Sequence, residues 1–256
     1  MEIEVGKFMQ WFSDFFWPFL RIGALFAAAP VFSARTVPVR VRIILALMLT
    51  YILLPTIPAA PEVTIFTATG LLMVLQQLAV GLVMGFLVQI MFATLLVAGQ
   101  VTATTMGLGF ASAVDPQNGV QVTMLSQFYV IIATLIFLSI DGHLLLIQVL
   151  AQTFILIPVD ANLLAPALFQ NVVEFAGQMF ISAMVIAIPA VTGVLLVNLG
   201  FGVITKAAPQ LNIFAIGFPI TILAGFILIL LSMGTLQPML SQVFSNGFAN
   251  MQNLLL

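Results

Sequence analysis

Charge is what this chain of 256 residues has least of. Its 6 Lys and Arg and 8 Asp and Glu make up 5% of positions, where an ordinary soluble domain carries roughly 25%. So few charges cannot coat a soluble globule. The formal net charge of -2 leaves no basic stripe, which excludes nucleic acid as a partner. With no cysteine, disulfides, thiolate catalysis and Cys-type zinc or iron-sulfur sites are excluded. His143 is the sole histidine, no Gly-rich phosphate loop ends in lysine, and only Glu2 and Glu4 are acids within three positions of each other. Neither a catalytic constellation nor a cofactor is expected. A removable signal peptide needs a basic start, but Lys7 is the only basic residue before Arg21. The first apolar run is therefore expected to stay as a membrane anchor.

What the chain has in abundance is apolar surface. The hydrophobic share is 62% against the usual figure of roughly 45 to 50%, so lipid or other apolar protein must cover it. This predicts an all-α membrane protein with about six apolar helices, near 15–32, 43–57, 68–98, 123–140, 175–205 and 213–236. The second is marginally short, since about 20 residues cross the hydrocarbon core. The last holds fourteen Leu, Ile or Phe, favouring insertion by about 4 to 8 kcal/mol before position is discounted. Cytoplasmic loops hold the Lys and Arg excess. Arg35, Arg40 and Arg42 between the first two helices, and Lys206 between the last two, would then lie in the cytoplasm. Six crossings put both termini, and the segments around Glu62 and 141–174, on the other side.

Prolines 18, 30, 189 and 219 fall within these runs, and each frees a backbone carbonyl that buried neighbours must satisfy. Gly81 and Gly85 read small-xxx-small, flanked at four-residue steps by Gln77 and Gln89. That stripe is read as a helix-packing face, with scattered polar residues in a glycine-rich membrane helix as the alternative. Arg21 lies inside the first apolar run and must face a subunit or a wet cavity, because a lipid-facing guanidinium is costly. Asp141-Gly142-His143 is read as an interfacial turn in preference to a proton relay.

The stretch Gly107 to Gly119, GLGFASAVDPQNG, is different in kind. Two early glycines, small residues and the turn formers Asp115, Pro116, Gln117, Asn118 and Gly119 will not make a regular spanning helix. Composition alone favours a surface loop. The alternative is a gate or plug, because irregular backbone at membrane depth survives only when buried in protein or lining an aqueous path.

Four segments carry a resemblance over nearly the whole chain: PVFSARTVPVRVRIILALMLT from Pro30, the GFASAVDPQNG loop, the Asp141-Gly142-His143 turn with its apolar continuation to Phe154, and NLGFGVITKAAPQLNIFAIGFPI from Asn198. Together they resemble the flagellar FliR family, the R subunits of type III secretion export gates. Injectisome relatives share the outline, and the flagellar choice rests on Ala208 to Asn212 and Gly217 to Pro219. The resemblance implies a non-enzymatic subunit assembled with P-type and Q-type companions and docking B-type and A-type export components. It would sit in the bacterial inner membrane at the flagellar basal body, the assembled gate lying largely towards the periplasm. It also implies a P-like four-helix part over 1–160 and a Q-like helical hairpin over 161–256.

By the same resemblance a loop at Gly107, Gly109, Phe110, Ala111 and Asp115 to Gly119 would help plug a pore for unfolded proteins, with Phe110 as the apolar stopper. Lys206, Pro209, Gln210 and Asn212 would belong to a cytoplasmic connector. A small-solute secondary transporter or a poreless scaffold are the readings from other classes. Whole uncharged helices speak against the transporter, because an ion or substrate relay normally places polar clusters deep in its helices.

Overall fold

The computed structural model describes residues 2–34, 36–61, 67–108, 122–159, 166–208 and 213–255. These residues form eight α-helices and no strand: α1 (Glu2–Ala28), α2 (Pro30–Ser33), α3 (Val39–Leu53), α4 (Ala68–Thr105), α5 (Met124–Ser139), α6 (Gly142–Leu156), α7 (Pro166–Ala207) and α8 (Ile213–Leu255), with a 3-10 turn at Leu54–Thr56 after α3.

Local chemistry sets most of the boundaries. Pro30 does not interrupt the first helix as expected; it stands at the first position of α2, where a missing N–H costs nothing. Pro18, Pro189, Pro219 and Pro238 do lie inside α1, α7 and α8. The run expected at 43–57 starts earlier, at Val39, and its end tightens into the 3-10 turn at Pro55. The segment 141–174, expected as an external connection, instead holds α6 and the start of α7. Asp141 in the left-handed conformation (φ 56°) separates α5 from α6.

Four helical stretches are long and apolar enough to cross a membrane: Val39–Thr56, Ala68–Thr105, Leu168–Ala207 and Ile216–Asn253. Counting α5 and α6 as one broken span makes five. Six crossings were expected; α1, read from the sequence as the first of them and as a membrane anchor, is not among the four, and the count of five is odd and would put the termini on opposite sides, so the alternation argument loses its footing. At 42 and 43 residues, α7 and α8 each run about 64 Å, roughly twice the hydrocarbon core.

The chain divides into two compact units, Met1–Ile90 with Asp141–Phe175 and Ser245–Leu256, and Met91–Ile140 with Ala176–Phe244. In the first, α1 packs on α3. Trp17, Ala60 and Val159 form a buried cluster with Phe16, Leu20, Met73 and Val74 around it. The segment after the 3-10 turn is pinned to α1: the Ala60 N–H donates to Asp14 at 2.9 Å, and Gln10 Nε2 donates to Asp14 and to the Ala60 carbonyl, both at 3.0 Å. In the second unit, Phe92, Phe137 and Phe244 pack mutually with ring centroids 5.2 to 5.5 Å apart. There α4 and α5 run antiparallel, Gly99 meeting Ser126 and Phe92 meeting Phe137.

Candidate functional site

The glycine-rich loop begins where α4 stops, and the stop is built into the backbone. Gly107 takes φ 86°, a left-handed conformation that a Cβ would strain. Its N–H donates to the Thr104 carbonyl at 3.0 Å, and Leu108 N–H reaches back to Ala103 at 2.9 Å. This is the paired arrangement that closes a helix C-terminus. On the far side of the loop, Thr123 caps α5, its Oγ1 accepting the Ser126 N–H at 3.3 Å.

The two ends are held over a tight base. Ser126 Oγ donates to Gln100 Oε1 at 3.2 Å, and a Cβ on Gly99 would come within 2.6 Å of the Ser126 Cα. Met106, fully buried, fills the notch at Gly225 so closely that a Cβ there would meet its Cε at 2.6 Å. Gly109, Phe110, Ala111, Asp115, Pro116, Gln117, Asn118 and Gly119 lie outside the described residues, so only the loop's footings are placed.

Arg21 faces neither lipid nor open water. It is fully buried in the first unit and its partners all come from the chain itself. Nε donates to Gln77 Oε1 at 2.8 Å on α4. Nη1 donates to the Thr153 carbonyl at 2.8 Å and its hydroxyl at 3.0 Å, and Nη2 to the Ile157 carbonyl at 2.8 Å. The guanidinium carbon stands 4.3 Å from the Phe154 ring centroid. Ile157 is the C-cap of α6, so the arginine fills the role of a cation at a helix C-terminus, where carbonyl oxygens gather partial negative charge. One side chain thus ties α1, α4 and α6 together.

The same face of α1 receives the small residues of α4. A Cβ on Gly81 would collide with the Arg21 carbonyl oxygen and meet Ala24 Cβ at 2.7 Å, and one on Gly85 would collide with Ala28. Gln77, Gly81 and Gly85 are buried, whereas Gln89 is exposed. Each four-residue step overshoots a full turn by about 40°, so three steps carry Gln89 away from the face that Gln77 starts.

The basic positions part company. Arg40 is exposed, but the Arg42 guanidinium turns back, its Nη2 lying 2.9 to 3.0 Å from the carbonyls of Ser33, Ala34 and Val37. It serves as a loop clamp. Arg35 lies outside the described residues. Lys206 is exposed in the last turn of α7, while Pro209, Gln210 and Asn212 fall outside the described residues. Asp141 is exposed at its turn and His143 half-buried. Among the described residues no three or more His, Cys, Asp or Glu gather as a metal site would require.

Sequence reasoning missed Thr153, Phe154 and Ile157. All three act wholly or partly through a backbone carbonyl or a ring face, which carry no residue-type signature. An Arg inside an apolar run was the one available signal.

The sequence matches the model of bacterial export proteins, family 1, over residues 12–247. It is 36% identical over 247 residues to the flagellar biosynthetic protein FliR of Pectobacterium carotovorum subsp. carotovorum, covering 96% of this chain and 94% of that one. Its identity to the FliR protein of Escherichia coli (strain K12) is 35% over 248 residues, covering 97% and 95%. With that of Bacillus subtilis (strain 168) it is 32% over 254 residues, covering 98% of each.

Proposed function

The chain belongs to family 1 of the bacterial export proteins, and from that premise we propose that it is the R-type subunit of a flagellar type III export gate. It is a non-enzymatic, multi-pass component of the bacterial inner membrane at the flagellar basal body. With P-type and Q-type subunits it encloses a pore for unfolded flagellar proteins, and B-type and A-type export components dock on the assembly. Residues 1–160 serve as the P-like part and 161–256 as the Q-like hairpin, whose connector at Lys206 to Asn212 faces the cytoplasmic machinery.

The loop at 107–119 helps to seal the pore, with Phe110 as its apolar stopper. The observation that supports this is the footing of the loop: a helix stop at Gly107, a cap at Thr123 and the buried Met106 beneath. With α4 and α5 each closed by its own cap, neither helix depends on the residues between them for its end, as a seal that yields to a passing chain requires. Methionine adapts to irregular gaps without demanding one rotamer, and a constriction that excludes water stops ions.

Deleting residues 110–118 tests the reading. Small-ion leakage across the membrane should rise, while native mass spectrometry of the detergent-extracted gate still finds one copy of this chain among unlike subunits. Unchanged conductance in an intact assembly would remove the seal, and recovery of the undeleted chain alone would remove the gate subunit altogether.

A further inference from the structure

From Leu71 to Ile90, all within the first unit, α4 leaves six side chains exposed: Leu71, Leu72, Leu75, Leu82, Phe86 and Gln89. Leu72, Leu75, the half-buried Ala79, Leu82, Phe86 and Gln89 follow one another at steps of three, four, three, four and three residues. That is the spacing by which one helix of a left-handed pair meets the other. Leu71 flanks this seam, which drifts over an arc of about 100°. Behind it Val80, Met84, Leu87 and Val88 are buried, and Gly81 and Gly85 close against α1.

The amide decides what covers the seam. Gln89 stands near the middle of the 38 residues of α4, a helix without charge and apolar enough to cross a membrane. Its side chain brings two N–H donors and a carbonyl acceptor, and none of them is hydrogen-bonded to another described residue. Hydrocarbon would leave all of these groups unpaired. Water would instead meet the four large apolar side chains of the same seam, which it disfavours. A second membrane helix satisfies both, because it packs on the apolar side chains and supplies a hydrogen-bonding group, as polar residues do between helices in a membrane.

We propose that the seam from Leu72 to Gln89 seats one membrane helix of a neighbouring gate subunit, packed as a left-handed pair, with the Gln89 amide bonded to a polar side chain of that helix. The inference rests on the export-gate reading and deepens it by naming the surface and the chemistry of the partner. Apolar side chains alone would tolerate a slip of one heptad along the seam, whereas the same slip strips the amide of its partner. Gln89 therefore fixes the register of the neighbour, as a lone polar residue does in a coiled coil.

The photoreactive residue p-benzoylphenylalanine, placed at Leu75 or at Phe86 of the full chain in cells that make the whole gate, tests the seam. Irradiation should join both positions to one membrane helix of one unlike subunit, identified by peptide mass spectrometry. Gln89→Leu should leave the unfolding of the isolated chain in dodecyl maltoside unchanged. It should nevertheless lower the fraction of chain that native mass spectrometry finds within the gate by about fivefold or more, the weight of one hydrogen bond between membrane helices. Adducts with lipid alone or with a second copy of this chain, or a Gln89→Leu gate recovered in full, would overturn the seam. Recovery of the unaltered chain with no unlike subunit would instead overturn the gate reading, and this inference with it.

Discussion

Replacing Gly81 by alanine sets two opposed effects against each other. In a helix interior alanine is favoured over glycine by about 1 kcal/mol. The new methyl, however, would collide with the Arg21 carbonyl oxygen and lie 2.7 Å from Ala24 Cβ, where carbon atoms settle at about 3.5 Å or more. The obstructing atoms belong to backbone and a Cβ, so α1 and α4 must part by about 1 Å. Overpacking of this kind costs about 1 to 3 kcal/mol. The same displacement stretches the 2.8 Å bond from Arg21 Nε to Gln77, and a bond to a charged group contributes about 1.5 to 3 kcal/mol. The net expectation is a loss of about 2 to 5 kcal/mol. Reversible unfolding in dodecyl maltoside by added sodium dodecyl sulfate, followed by fluorescence of the buried Trp17, would measure it. Gly23→Ala on α1 is the control: a Cβ there meets nothing within 4 Å, so stability should stay level or rise by up to about 1 kcal/mol. Equal stability of Gly81→Ala and the parent, or equal loss in both variants, would refute the argument.

Two further outcomes follow from the same structure. Arg21→Lys keeps the charge but cannot span Gln77, Thr153 and Ile157 at once, so it should lose about 2 to 4 kcal/mol in the same titration; a stability matching the parent would show that charge alone suffices. Gly107→Ala places a Cβ at φ 86° and should cost about 1 to 2 kcal/mol, seen as faster amide hydrogen exchange at Thr104 to Leu108 with the rest of α4 unchanged; exchange at the parental rate there would contradict the helix-stop role.

Much of the architecture was legible because lipid imposes simple rules. Runs of Leu, Ile and Phe announced the long helices, and the four-residue spacing of Gln77, Gly81 and Gly85 announced a close helix contact. What hydropathy could not supply was length beyond the membrane. The polar end of α8 has no charge and no apolar run, so the expected helix stopped near 236 whereas the real one continues to Leu255. The 15-residue α6 was hidden for another reason: the apolar continuation of the Asp141 turn to Phe154 is too short to cross a membrane and was not counted as a helix. The turn formers Asp115 to Gly119 lie outside the described residues, and only the family resemblance gives that stretch a role. The surroundings of Arg21 were beyond reach, since the groups that hold it are carbonyls set in place by folding.

Those carbonyls also impose an order on synthesis. Gln77 follows Arg21 by 56 residues and Ile157 by 136. At bacterial elongation rates the ribosome needs about 7 to 27 seconds to supply the last of these groups. Until then the Arg21 guanidinium lacks the carbonyls of Thr153 and Ile157 that hold it in the folded chain, so α1 takes its final place only after α6 has been made.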